Sequence, residues 1–379
     1  MADEGRADGN RVGWSCVLKI CIVTYDEYSN IPYVQKYEHL LTNNDITYDI
    51  ILWNRSEIET GGTPNARCNY TFGSPTGASK LSKVVPLLKW RRHVNRILRS
   101  EKYDGLIICT TLPGILISGI LTGDYCGKFI LDVRDFTYEN NPLYCNVARK
   151  NLEAAGLVVI SSERFLQWMP PGTNAVITHN ISNIDSATED SPSFSKAGPM
   201  TIGFVGGVRY FGENKKFIGQ FANSDMFKLL YIGKHHPGSD LMAYCEKNGI
   251  WNVEFRSQYD NAQKPDIYRD IDFINSVYGA NCEETRTLLP HRLYDCVLFK
   301  KPIIVSKGTY LEDVVTRFNL GLTLNIDDDN APEKICSYMK TFKAESFSEG
   351  CDRFLSKVLH DEDVFFKRVD EFFKSLEVR

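Results

Sequence analysis

The sequence predicts an α/β fold of two domains, each a parallel sheet covered by helices on both faces. Three observations carry that reading. Short apolar runs of strand length alternate with longer helical patterns along almost the whole chain. A polar stretch rich in serine and proline, 185–199, interrupts the alternation once. The chain is 379 residues long, and single cores usually divide beyond roughly 250–300 residues.

The elements follow in order. Residues 1–16 are acidic and small and read as a disordered segment. A first domain, 17–184, carries strands at 17–24, 47–52, 105–110, 129–133, 157–161 and 175–178. Asn30 with Pro32 is expected to open one helix and Thr111 with Pro113 another, in the manner of a cap followed by a first-turn proline. After the 185–199 connection, a second domain, 200–355, carries strands at 201–205, 227–232, 253–256, 273–277, 302–305 and 320–324. From Ala331 onward the pattern is helical throughout, and its aromatic stripe, Phe365, Phe366, Phe372 and Phe373, must be buried. Residues 356–379 are therefore expected to return as a helix toward the first domain.

Composition excludes several function classes. A net charge of −4 with 43% hydrophobic residues provides no basic domain or stripe for nucleic acid. The 11 cysteines are scattered, without a CxxC pair or a histidine cluster at zinc spacing, so reduced thiols in the cytoplasm are expected and no metal or cofactor is. The apolar stretch 14–24 is interrupted by Lys19 and is too short to cross a bilayer. Between Lys80 and Lys102 lie eight Lys and Arg residues interleaved with Leu, Val and Trp90. That segment reads either as an amphipathic helix covering the sheet or as a peripheral contact with anionic lipid.

Two constellations point to a ligand. The first follows the strand at 201–205: Gly206 and Gly207 let a ligand approach the backbone, and Arg209 and Lys215 add cations beside a helix start. A diphosphate suits such a rim, although the spacing is not the dinucleotide fingerprint. The second is the run 281–324, a polar loop, helix, buried strand, glycine turn, helix and strand. It brings Arg286, Arg292, Tyr294 and Asp295, with Thr309 and Tyr310 of the turn, toward the same crevice. Asp295 could accept from a ribose diol or pair with Arg292. The triplet Asp327 to Asp329 reads as a helix cap and solvated turn.

These constellations, in this order, resemble the GT-B glycosyltransferases, particularly the bacterial surface-polysaccharide branch of the large retaining family that includes mannosyl- and glucosyltransferases. The matching residues are Gly206, Arg209, Lys215, the LPHRLYD helix and the KKPIIVS strand; in the first domain, the strand ending at Asp132, Arg134 and Asp135, and the segment holding His179 and Asn180. The resemblance implies two Rossmann-like doubly wound domains facing a central cleft. It implies transfer of a sugar from a nucleotide-diphosphate donor to a glycan or lipid-linked acceptor, without metal, on the cytoplasmic face, with peripheral membrane contact as an option. It assigns Arg209 and Lys215 to the diphosphate, Asp295 to the ribose, the loop holding Ser257 to the base, and Arg134 and Asp135 to the transferred sugar. A strand-end turn with an internal ion pair is the alternative for Asp132, Arg134 and Asp135. The chain departs from the pattern in two places: no glycine pair follows the first strand, and the first acid of the paired-glutamate motif falls on Thr287, with Glu283 and Glu284 just before it. An epimerase or hydrolase on the same scaffold, and a silent nucleotide-binding module, are the other readings.

Overall fold

The computed structural model describes residues 18–28, 31–54, 68–71, 84–181, 194, 198–234 and 240–377. The expected disordered segment and nearly all of the 185–199 connection lie outside them. The first lobe runs β1 (Lys19–Val23), α1 (Val34–Asn43), β2 (Thr47–Asn54), β3 (Cys68–Thr71), α2 (Val84–Ser100), β4 (Gly105–Cys109), α3 (Thr111–Leu116), α4 (Ser118–Leu121), β5 (Phe129–Val133), α5 (Pro142–Ala154), β6 (Leu157–Ile160) and β7 (Ala175–Ile177). The second runs β8 (Met200–Val205), α6 (Phe211–Phe221), β9 (Phe227–Ile232), α7 (Leu241–Lys247), β10 (Val253–Arg256), α8 (Lys264–Arg269), β11 (Phe273–Ser276), α9 (Glu283–Thr287), α10 (His291–Leu298), β12 (Ile303–Ser306), α11 (Tyr310–Phe318) and β13 (Gly321–Leu324). Two helices close the chain, α12 (Ala331–Thr341) and α13 (Ala344–Glu377).

Both sheets are doubly wound. The first has seven strands in the order β3-β2-β1-β4-β5-β6-β7, the second six in the order β10-β9-β8-β11-β12-β13. All the pairings are parallel. Strand order reverses beside β1 in one sheet and beside β8 in the other, and a crevice opens at such reversals outside the carboxyl ends of the strands. The apolar runs are continuous because helices cover both faces: every residue of β4, β5, β6, β11 and β12 is buried.

Four local expectations are corrected. The edge strand β3 was not expected, because four residues, CNYT, show no apolar alternation. The first helix begins at Val34 with Tyr33 at its cap position and Pro32 in the preceding turn, and Asn30 lies outside the described residues. A helix does begin at Thr111, as expected, but its hydroxyl is no cap and donates to Glu139 Oε1 at 2.6 Å. The helical tail breaks at Phe342, whose extended backbone ends α12.

The 34-residue α13 is continuous across both lobes. Phe347, Cys351, Phe354 and Val358 complete a core of the second lobe. Phe365, Val369, Phe372, Phe373 and Leu376 complete a core of the first. Burying each such side chain contributes about 1.5–3 kcal/mol, so the helix fastens the lobes together. Between the two sets it turns Asp361 and Glu362 toward the junction, where Lys36 Nζ meets Glu362 at 2.6 Å. The buried thiols Cys21, Cys109, Cys245, Cys296 and Cys351 fill core positions in both lobes. Among the described residues no helix is long and apolar enough to cross a membrane.

Candidate active site between the lobes

At the reversal point of the second sheet, β8 runs into Gly206 with φ +120°, and β9 into Gly233 with φ +135°. These backbones are so close that a Cβ on Gly233 would lie 2.2 Å from the Gly206 carbonyl oxygen. Only glycine permits that approach and that backbone geometry together. On their open side, side-chain atoms at Gly206 or Gly207 would meet nothing within 4 Å. Val208 N–H donates to Lys234 O at 2.9 Å, which brings the exposed Lys234 beside Arg209. Lys234 was missed in the sequence, though the pattern of strand, glycine and cation at 227–234 repeats that at 200–209. Tyr210, in the left-handed region at φ 59°, then starts α6 with no side-chain cap, so the first N–H groups of the helix face the turn. The acid on that turn, Glu213, is answered by Lys216 at 3.2 Å.

Arg209 is open to solvent, its side chain 66% exposed, with Glu284 Oε1 3.9 Å away. The Tyr210 hydroxyl donates to the same oxygen at 3.1 Å. Asp135, exposed two residues beyond the first-lobe strand β5, lies close enough to this group to interact with it electrostatically. Desolvation in the gap and the Glu284 carboxylate raise its pKa above the ordinary value, while Arg209 and Arg134 oppose the rise. Two hydrogen bonds explain why residues of different lobes meet here. Ser161 Oγ donates to Arg134 O at 2.9 Å, and the neighbouring Ser162 Oγ crosses the gap to Thr287 O at 2.8 Å. The ends of β5, β6 and α9 are thereby held side by side.

Several residues expected on the rim are placed elsewhere. Arg292, Tyr294 and Asp295 are all buried, because α10 is wedged between the sheet and α13 and hides every residue from Arg292 to Leu298. The Asp295 carboxylate takes Lys264 Nζ at 2.8 and 3.1 Å and the Tyr268 hydroxyl at 2.8 Å, leaving no accessible oxygen for a ribose. Nor does it pair with Arg292. That guanidinium lies 3.5 Å from the Phe204 ring centroid and 4.8 Å from that of Tyr278, and donates to Asn275 O at 3.1 Å. Burial lowers its pKa to about 10, against the pull of Tyr268, Tyr259 and Asp295. Arg286 is held on its own helix by Glu283 at 2.7 Å and by Ala280 O. Thr309 is a buried cap, donating to Ser306 O and accepting from Glu312 N–H. Lys215 lies 5.2 Å from the Tyr244 ring of α7. Ser257 is exposed in the loop after β10. Further along the same loop Tyr259 is raised to about 12 by burial and Asp295. The triplet at 327–329 is a turn braced by Lys216 and Lys334.

Arg134 points inward, with Nε and Nη2 on the two oxygens of Asp132 at 2.6 and 2.9 Å and Nη1 reaching Asn180 at 3.3 Å. The Tyr37 hydroxyl completes the acid's shell at 2.8 Å. Next to Asn180, His179 forms the junction of three elements: its Nδ1 is 3.0 Å from Tyr294 Oη and its Nε2 2.9 Å from Asp361 on α13. Asp361 also binds Lys357, which reaches Glu163, and Glu163 accepts from the Tyr310 hydroxyl at 3.0 Å. Tyr294 and Tyr310 therefore serve the contact between lobes in this structure.

Solved structures share this architecture over its whole extent. Sucrose-phosphate synthase from Thermosynechococcus elongatus matches with a TM-score of 0.69 at 14% identity, covering 95% of this chain and 99% of that one. Anabaena HepE in complex with UDP and glucose matches with 0.65 at 14% identity, covering 93% and 100%. The lipopolysaccharide outer core galactosyltransferase WaaB matches with 0.61 at 13% identity, covering 94% and 99%. The fold is GT-B. No family model and no curated relative matches the chain.

Proposed function

We propose that this GT-B chain is a glycosyltransferase that moves a sugar from a nucleotide-diphosphate donor to a glycan or lipid-linked acceptor in cell-surface polysaccharide synthesis. The observation that carries the reading is the glycine turn at the reversal of the second sheet, with Arg209 open beside it and Asp135 of the other lobe opposite. Backbone N–H groups, the start of α6, Arg209 and Lys234 offer a departing diphosphate positive partners, so the protein can stabilise the leaving group with its own groups. Lys215 comes to this rim only if its side chain leaves Tyr244. HepE, of the same fold, was solved with UDP and glucose, which makes UDP-sugars the first donors to try.

Asp135 is the first-lobe acid beside this turn. Glu139, another first-lobe acid, is buried and accepts from Thr111 Oγ1 and Thr137 N–H. A retaining transfer needs no base from the protein; an inverting one would use Asp135, whose raised pKa suits proton uptake. Incubating the protein with UDP-sugars, with and without a glycan-lipid acceptor, tests the reading. Acceptor-dependent release of UDP supports it. Consumption without acceptor shows a hydrolase or epimerase, and tight binding without turnover a silent module.

The same reading places the enzyme on the cytoplasmic side of an anionic membrane, touching it through α2. That helix buries Pro86, Trp90, Val94 and Leu98 and exposes Val84, Val85 and Leu88 beside Lys89, Arg91 and Arg92. Co-sedimentation with phosphatidylglycerol vesicles, reduced in Arg91→Glu/Arg92→Glu and absent with phosphatidylcholine vesicles, is the expected result. Equal sedimentation with both lipids would count against it.

A further inference from the structure

The gap between the lobes has a charge pattern that limits what can follow the diphosphate. Glu284 and Asp135 approach it from opposite lobes, and Arg209 is the exposed cation beside Glu284. Their placement is fixed by packing: Thr287, one turn from Glu284 on α9, accepts from Ser162, while Ser161 holds the carbonyl of Arg134, the residue before Asp135. The neighbouring Glu283 does not share this position, being paired with Arg286 at 2.7 Å. Nor does Arg134 offer a second free cation. Its charge is answered by the buried Asp132, and its guanidinium carbon lies 4.4 Å from the Tyr33 ring centroid.

We propose that Glu284 and Asp135 select the transferred group by charge, admitting sugars that offer hydroxyl or amino donors and rejecting those that carry a carboxylate. This rests on the donor reading above and names the substrate class of that same site. Once a diphosphate engages Arg209, the Glu284 carboxylate loses its nearest cation. The group beyond the diphosphate then meets two acceptors and two negative charges on the rim of the gap. Hydroxyls donate to such carboxylates. A uronate ring at the same place brings a third negative charge, and like charges held close together repel one another even where water screens them. Of the two acids, Asp135 is the more exposed and Glu284 the more firmly placed. The Tyr210 hydroxyl donates to one of the Glu284 oxygens at 3.1 Å and holds it beside Arg209.

The experiment is calorimetric titration of the full chain with UDP, UDP-glucose and UDP-glucuronate, repeated on Glu284→Gln, Glu284→Asp and Asp135→Asn, each variant first checked for an unchanged thermal melt. The wild type should bind UDP-glucuronate roughly 10- to 100-fold more weakly than UDP-glucose, the size of one like-charge contact at intermediate screening. Glu284→Gln and Asp135→Asn should each narrow that gap several-fold; UDP, itself an anion beside Arg209, should also gain affinity in Glu284→Gln, so the readout is the ratio between the two sugars. Glu284→Asp, which keeps the charge, should retain it. Equal affinity of the wild type for the two sugars would overturn the inference while leaving the donor reading intact. An unchanged gap in Glu284→Gln would remove Glu284 from the role. Failure to bind UDP in any form would overturn the donor reading and this inference with it.

Discussion

Replacing Arg209 by alanine should weaken UDP binding roughly 10- to 100-fold, since a hydrogen bond to a charged group is worth about 1.5–3 kcal/mol. The side chain is held only loosely in the bare protein, with Glu284 at 3.9 Å and two thirds of its surface in solvent at 66%. Its removal leaves no buried group unpaired, so the melting temperature should hardly move. That combination, lost affinity with kept stability, is what a ligand-facing cation gives and a structural one does not. Lys234→Ala should show a smaller loss, because an ammonium on a flexible stem contributes less directed bonding than the guanidinium fork. Titration calorimetry with UDP checks both, and unchanged affinity in Arg209→Ala would remove the diphosphate from this turn.

The opposite signature is expected at Asp295. Substitution by alanine leaves Lys264 Nζ and the Tyr268 hydroxyl buried without their acceptor. Breaking a buried pair in this way costs about 3–5 kcal/mol. With 9% and 5% of the two side chains exposed, water repays little of it. Thermal or urea unfolding should therefore show a large loss of stability, and whatever folded protein remains should bind UDP nearly normally. The double variant Lys264→Met/Asp295→Leu should recover most of the stability, since an apolar replacement removes the unmet charge on both sides. A stable Asp295→Ala protein with reduced UDP affinity would instead restore this carboxylate to the nucleotide.

The contrast between these residues shows how far the chain could be read directly. Strand positions were legible where the parallel sheets are covered on each face and their strands are continuous apolar runs; those at 129–133 and 227–232 agree with the observed bounds. The polar edge strand β3 was not legible, since four residues without alternation look like loop. At the site, glycines followed by a cation marked the turn after β8, and there Arg209 and the open glycines lie together. The run after Asn281 misled for a physical reason. Arg, Tyr and Asp on a short helix suggest a solvent-facing surface, whereas α10 is covered on every side and its polar groups are satisfied internally by Lys264, Asn275 and His179. Glu284 was visible as an acid near the motif, but nothing local showed that it, and not Glu283, would turn toward Arg209.

By itself, then, the sequence determined two covered parallel sheets, a glycine turn with an arginine at the head of the second, and a terminal helix whose aromatic stripe had to find a partner. These depend on periodicity and on backbone conformations available to one residue type, which neighbouring residues encode. Only the tertiary structure decided which polar groups face the gap and which face each other. That choice depends on contacts between segments far apart in the chain: α13 closing over α10, Ser162 reaching Thr287, and Asp135 brought opposite Glu284. Whether a charge is solvated, paired or left for a ligand is set by those distant surfaces, and no local pattern of residues contains them.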